Sequence, residues 1–210
     1  DGFDNAGLQI GLTEAEATGA LLCLDVTEAV LDEAIALGHN LVISHHPLIF
    51  KGYKSITGKD YVERCILKAI KNDIVIYSAH TNLDNAYGGV NYKIAEKIGL
   101  KNLQVLEPKE NSLQDDLMQA GAGIVGELDE PETELEFLKR IKKTFEVGCV
   151  RHNRLTGREI QKVALCGGAG AFLLPQAIRA GADVFITGEI KYHDYFGHEG
   201  DILMAEIGHY

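Results

Sequence analysis

Leu41-Val42-Ile43-Ser44-His45-His46-Pro47 is the stretch from which the rest of the chain can be read. Its apolar, partly β-branched start makes a short buried strand, and two histidines and a proline end it. Successive strand residues point to opposite faces of a sheet, so neighbouring histidines inside a strand would drive one imidazole into the core. Pro47 donates no backbone hydrogen bond and favours an extended or turn geometry before it. Both imidazoles can then turn to one edge and reach two different metal ions, or one ion from two sides. A pair of exposed loop histidines is the plain alternative.

The same grammar recurs along the 210 residues. In the first half an apolar run at 20–24 leads to Asp25, and a helix over 28–37 follows the cap-competent Thr27. A helix over about 60–71 precedes the run 74–78, which leads to His80 and Asp84, and a further helix is expected over 90–98. In the second half, 163–166 leads to Gly167-Gly168-Ala169-Gly170 and a helix near 173–180. The run 183–187 leads to Gly188, Glu189, Lys191, His193 and Asp194, and 202–205 leads to Glu206 and His209. Between the halves, 107–116 is polar, carries Pro108, Asn111 and Ser112, and reads as a connector. The segment 121–150 holds the apolar, glycine-containing 121–128 and a helix over about 133–144. Strands alternating with helices give an α/β fold with mostly parallel or mixed sheets. The expected division is an N-terminal lobe over 1–106, carrying His45, His46, His80 and Asp84, and a connector plus C-terminal lobe over 107–210, carrying His209.

In open parallel sheets the carboxyl ends of the strands line the ligand crevice. Six runs that each deliver Asp, His, Glu or a Gly-rich turn to that edge make a pattern where one would be noise. His80 and Asp84 face the same way if the chain turns helically there, and a carboxylate can bridge two cations. Asn82 and Asn85 could orient them, while a capping role is the rival reading of Asp84. His209 gains its interest from following the sixth run. His193, with Lys191 and Asp194, suits proton transfer or substrate orientation, and equally a plain surface role. His39, His152 and His198 lack such context and read as non-ligands. The Gly-rich turn 167–170 either exposes amide donors to a phosphate or is a tight strand-to-helix turn.

Composition narrows the class. No apolar run approaches the roughly eighteen residues of a membrane span, and the first residues show no export signal. Cys23, Cys65, Cys149 and Cys166 form no C-x-x-C pair, which fits reduced thiols in a cytoplasmic protein. The net charge of -11 repels phosphate backbones. The cluster of Lys139, Arg140, Lys142, Lys143, Arg151, Arg154 and Arg158 reads as a solvated helix face and loop, so nucleic acid is not favoured as a partner.

With these residues assembled, the sequence resembles the NIF-three-like family, whose members are often described as GTP cyclohydrolase 1 type 2 homologues. The resemblance rests on Asp4-Asn5-Ala6-Gly7-Leu8-Gln9-Ile10-Gly11, Leu24-Asp25-Val26-Thr27, Ser44-His45-His46-Pro47-Leu48-Ile49-Phe50 and Ala79-His80-Thr81-Asn82-Leu83-Asp84. Cys166-Gly167-Gly168-Ala169-Gly170, Thr187-Gly188-Glu189-Ile190-Lys191-Tyr192-His193-Asp194 and Gly208-His209-Tyr210 complete it in family order. It implies two similar α/β lobes with a dinuclear metal site in the cleft between them. It also implies His45, His46, Asp84 and His209 as ligands, with His80 in the same set. In the family a glutamate four positions past the last histidine completes the ligands and a helical segment precedes the residue matching Asp1; this sequence runs from Asp1 to Tyr210. The resemblance further implies a ring-shaped homohexamer, and in some members an inserted domain, of which 121–158 could be a compact remnant.

Nitrogen and oxygen donors without thiolate suit two divalent ions drawn from Zn, Fe, Mn, Ni or Co. The expected chemistry is metal-assisted hydrolysis of a small-molecule substrate, a nucleotide or a related compound. Two ions roughly 3.5–4 Å apart would share and activate a water. Asp84 would bridge or position the pair, and Glu189 or His193 would serve as general acid/base. The alternative is a non-catalytic, metal-dependent scaffold or regulatory protein forming a ring-shaped oligomer.

Overall fold

The computed structural model of the protein describes residues 4–109 and 120–210. By its internal contacts the chain divides into two units, Asp1–Leu83 and Asp84–Tyr210.

In the first unit, β1 (Gly7–Ile10), β2 (Ala20–Cys23), β3 (Leu41–Ser44) and β4 (Val75–Ser78) form a sheet in the order β1-β4-β3-β2. The three neighbours β2, β3 and β4 run parallel, and β1 is antiparallel to β4. Helices α1 (Glu28–Leu37) and α2 (Tyr61–Lys71) make the crossovers. Both start at a polar cap: Thr27 Oγ1 accepts from Val30 N at 3.2 Å, and Asp60 Oδ1 accepts from Glu63 N at 2.8 Å. Gly38 ends α1 in the left-handed region at φ 69°, which glycine adopts at least cost. Leu31 and Ala34 of α1, Cys65, Ile66 and Ala69 of α2, and Val42 and Ile76 of the strands are buried together. Parallel sheets ordinarily carry cover on both faces. Here Leu8, Tyr77, Ile43 and Leu22 share one register row across all four strands, and Leu22 is 73% exposed.

The short helix α3 (Thr81–Asp84) follows β4. In the second unit come α4 (Val90–Ile98), β5 (Lys101–Pro108), β6 (Gly121–Thr133), α5 (Glu134–Thr144), β7 (Arg151–His152) and β8 (Glu159–Cys166). A 3₁₀ turn, Ala171–Leu173, runs into α6 (Leu174–Arg179); β9 (Val184–Thr187), a second 3₁₀ turn (Tyr192–Tyr195) and β10 (Leu203–Glu206) complete the unit. Its sheet has the order β5-β6-β8-β9-β10-β7. Strands β8, β9 and β10 are parallel neighbours, while the β5/β6, β6/β8 and β10/β7 pairs are antiparallel. Both faces are covered, which is why β9 and β10 are buried at every position. Val163, Leu165, Val184, Ile186, Leu203 and Ala205 pack toward one core with Phe137 and Ile141 of α5. Ala164, Cys166, Phe185 and Met204 alternate to the other, with Leu174 and Ala177 of α6. Replacing Leu165, fully buried between strands, by Ala would cost about 2–5 kcal/mol.

The division at Leu83/Asp84 lies earlier in the chain than the expected 106/107. The reason is packing: Ala95, Ile98 and Leu100 sit in the second sheet's core with Phe137 and Val163, so α4 counts with that unit. The segment read as a connector begins inside a strand, since Glu107 and Pro108 pair with Ala122 and Gly121, and 110–116 lies outside the described residues. Nor is 121–158 an insertion: β6 is an interior strand of the second sheet. The sheets are mixed, and the antiparallel pairings come from β1, β5, β6 and β7.

Candidate metal centre

Cys23, Ser44 and Ser78 stand side by side in the last paired row of β2, β3 and β4. Two residues beyond that row each strand delivers a polar side chain, giving Asp25, His46 and His80. Ladder hydrogen bonds continue past the row and fix this departure: His45 N donates to Cys23 O at 3.1 Å, His46 N to Leu24 O at 2.9 Å and Ala79 N to Ser44 O at 2.8 Å. The strand ends at Ser44 and the chain bends through His45 and His46 ahead of Pro47, which brings the two rings together with centroids 4.9 Å apart. The His80 centroid is 5.4 Å from that of His45 and 5.7 Å from that of His46. Each of the three offers a ring nitrogen within 4.8 Å of the others, the spacing that one bound cation needs.

The other side of each ring is held by an oxygen. His45 Nδ1 donates to the Ala79 carbonyl at 2.9 Å, His46 Nδ1 to Asp25 Oδ1 at 2.9 Å, and His80 Nδ1 to Asp4 Oδ1 at 2.7 Å. A carbonyl and a carboxylate can only accept, so Nδ1 carries the proton and Nε2 the in-plane lone pair, the form that binds metals. Asp4 is 2% exposed at its side chain. Burial raises its pKa, but hydrogen bonds from Thr81 and His80 outweigh that and hold it below the ordinary carboxylate range. Its Oδ2 accepts from Thr81 Oγ1 at 2.5 Å and Thr81 N at 3.3 Å, tying the start of α3 to the same carboxylate. Three imidazoles without thiolate fit a divalent ion of the Zn, Fe, Mn, Ni or Co group.

The second unit repeats the arrangement with different residues. Cys166, Thr187 and Glu206 share the last row of β8, β9 and β10, and two residues on stand Gly168, Glu189 and Gly208. Gly168 O accepts from Gly188 N at 2.9 Å, Glu189 N at 3.1 Å and Thr187 Oγ1 at 3.0 Å, while Thr187 Oγ1 accepts from Gly170 N at 2.9 Å. The Gly-rich turn is therefore a tight packing device, and a Cβ on Gly188 would come within 2.7 Å of Gly168 O and 3.1 Å of His209 Cα. His209 Nδ1 donates to Glu189 Oε1 at 2.8 Å. Asp84 ends α3, and its carbonyl accepts from Nδ2 of the buried Asn91 at 3.0 Å, while Asn91 Oδ1 accepts from Gly167 N at 2.8 Å. Burial, then the Asp84 charge, pushes the Cys166 thiol up to about 12.

The structure thus brings together His45, His46 and His80 in one unit, and Glu189 with His209 in the other. His193 lies in the 3₁₀ turn Tyr192–Tyr195, largely exposed and 3.4 Å from Asp194 Oδ1. His39, His152 and His198 are outside the three-histidine group found among the described residues. His80 is oriented by Asp4 and His46 by Asp25; Asp25 is marked in the sequence by its place after β2, Asp4 only by tertiary contact. Three of the clustered arginines are engaged within the second unit: Arg151 with Glu206, Arg140 with Glu132 and the Ile98 carbonyl, and Arg158 with the Gly200 and Asp201 carbonyls. Among the described residues no helix is long and apolar enough to cross a membrane.

Fold and site define an α/β protein with a three-histidine candidate metal centre at the carboxyl edge of the parallel strands of a mixed sheet. The chain belongs to the Duf34/NIF3 (NGG1p interacting factor 3) family, whose model matches residues 1–210. It is 38% identical over 213 residues to a Clostridium perfringens protein named GTP cyclohydrolase 1 type 2 homolog, covering 100% of this chain and 79% of the relative. A Lactococcus lactis relative of the same name is 36% identical, covering 99% and 78%. Among solved structures, the Staphylococcus aureus hypothetical protein SA1388 is similar with a TM-score of 0.88 and 34% identity, covering 100% of this chain and 80% of that one. A Bacillus cereus protein related to NIF3 gives 0.88 at 30% identity, covering 100% and 83%.

Proposed function

We propose that this protein binds a divalent metal ion at His45, His46 and His80 and acts as a metal-dependent hydrolase on a nucleotide or related small molecule. The observation that carries the reading is the orientation of the three rings, each with Nδ1 donating to an oxygen and Nε2 left as the basic atom. A bound divalent ion supplies Lewis-acid activation of water and of a carbonyl, ring carbon or phosphoryl group. The chain's own residues hold and aim: the histidines grip, Asp4 and Asp25 fix two of the rings, and the Ala79 carbonyl fixes the third. A second ion with Asp84 and His209 as further ligands, Glu189 or His193 as the proton carrier, and a ring-shaped hexamer belong to the same proposal and are drawn from the resemblance. The name carried by the relatives makes GTP the first substrate to try.

Metal analysis of the purified protein beside His45→Ala and Asp84→Ala tests the binding step, with two ions per chain expected in the parent and fewer in each variant. Stoichiometric metal in both variants would remove the proposal. Incubation of metal-loaded protein with nucleotides, cyclic amides and phosphoesters tests the hydrolase step, and turnover should vanish with a chelator. One observation favours the non-catalytic scaffold instead: Glu189, a candidate proton carrier, is engaged in holding His209. Protein loaded with each metal in turn that turns over none of the panel favours that reading.

A further inference from the structure

A neutral imidazole has one proton and one in-plane lone pair, and the partner of one nitrogen settles which atom has which. The three histidines differ in how firmly that partner is set. His45 faces a backbone carbonyl, and the Asp25 side chain beside His46 is 45% exposed. The Asp4 side chain beside His80 is 2% exposed, and a buried carboxylate is costly unless its oxygens are satisfied. They are: Oδ1 accepts from His80 Nδ1 at 2.7 Å and Asn5 N at 2.8 Å, and Oδ2 from Thr81 Oγ1 and N. The carboxylate therefore fixes the ring of His80 and the backbone of the next residue at once, from 76 residues away in sequence.

We infer that Asp4 is a positioning residue that locks His80 as the Nδ1–H tautomer and, through Thr81, aims its Nε2 before any metal arrives. The consequence for metal uptake rests on the metal-binding reading above; the tautomer itself does not. Exchange of the carboxylate for a methyl group leaves Nδ1 without its acceptor, and the proton redistributes toward Nε2, the atom needed as ligand.

The test is a long-range proton–nitrogen NMR spectrum of metal-free protein labelled in its histidines, with His80 assigned by its loss in His80→Gln. The parent should show His80 as Nδ1–H, and Asp4→Ala should move it toward Nε2–H. Competition with a chromophoric chelator should show zinc affinity falling about ten- to a hundredfold in Asp4→Ala, with partial recovery in Asp4→Glu. Thr81→Val, which removes only the hydroxyl bond to Oδ2, should leave the tautomer as it was. Asp4→Leu, which keeps the bulk but offers no acceptor, is read in the same way if Asp4→Ala does not fold. A parent His80 in the Nε2–H form, or an Asp4→Ala spectrum identical to the parent's, would overturn the inference. A parent that takes up no zinc, yet loses the Nδ1–H form in Asp4→Ala, would sink the metal reading and support the positioning role.

Discussion

Ser44 and Ser78 close the last row of the parallel pair β3 and β4 with their hydroxyl oxygens 2.9 Å apart. Both are buried. Ser44 Oγ lies 2.8 Å from the His46 carbonyl and Ser78 Oγ 3.5 Å from it, so the carbonyl accepts from this hydroxyl pair. This pair sets the spacing of β3 and β4 at the row from which His46 and His80 depart, so polarity in the strand interior serves the site rather than the core.

Ser44→Ala should therefore destabilise the protein by about 1–2 kcal/mol, because the part-buried His46 carbonyl loses its short bond and the buried Ser78 hydroxyl its partner. A urea titration followed by circular dichroism reads the change. A midpoint equal to the parent's would show that the hydroxyl pair contributes nothing to the sheet.

Glu63, fully buried in α2, clasps the loop that follows Pro47. Its Oε2 accepts from Thr57 N at 2.8 Å, Thr57 Oγ1 at 3.0 Å and Lys59 N at 3.1 Å. These bonds, that from Thr57 N first, override burial and lower its pKa from 4.5 to about 2. A lowered folded pKa means that the carboxylate's contribution is whole above about pH 4.5 and is lost as pH falls toward about 2. Parent stability should decline across that window, and Glu63→Gln, less stable at neutral pH, should decline less steeply there. Parallel pH profiles for the two proteins would refute the clasp.

Gly188→Ala tests the glycine crowding of the second unit. The added Cβ would meet Gly168 O at 2.7 Å, Gly208 O at 3.0 Å and His209 Cα at 3.1 Å, all backbone atoms that cannot swing aside. Overpacking of this kind costs about 1–3 kcal/mol, and the loop bearing His209 has to shift. Lower thermal stability with changed NMR shifts at His209 is the expected result; an unaltered His209 signal would contradict it.

Much of this was legible in the sequence where local chemistry decides. Thr27, Asp60 and Thr133 mark the starts of α1, α2 and α5, and the apolar runs before Asp25, His45 and Glu189 are strands. Strands β1, β5 and β7 were not legible, because each is short or polar and pairs antiparallel at a sheet edge: in β5 the alternation of Asn102, Leu103, Gln104 and Val105 lasts only four residues before Leu106 breaks it. His45-His46-Pro47 announced the site, since adjacent imidazoles before a proline have no good place in a pleat. The roles of Asp4 and Glu189 were hidden, because a hydrogen bond across 76 or 20 residues leaves no spacing to read.

Zinc should raise the melting temperature, and the size of the rise follows from mass action. A ligand that binds only the folded state at a free concentration a hundred times its dissociation constant stabilises by about 2.7 kcal/mol. For a chain of this length each kilocalorie moves the midpoint by roughly 2–4 °C, so a shift of roughly 5–11 °C is expected. His45→Ala and His80→Ala should lose most of it, each measured against its own metal-free midpoint. His198→Ala should keep it, since that ring lies 3.9 Å from Asp201 and outside the three-histidine group. Equal shifts in all four proteins would mean that zinc binds elsewhere, and the orientation of His45, His46 and His80 would then need another explanation.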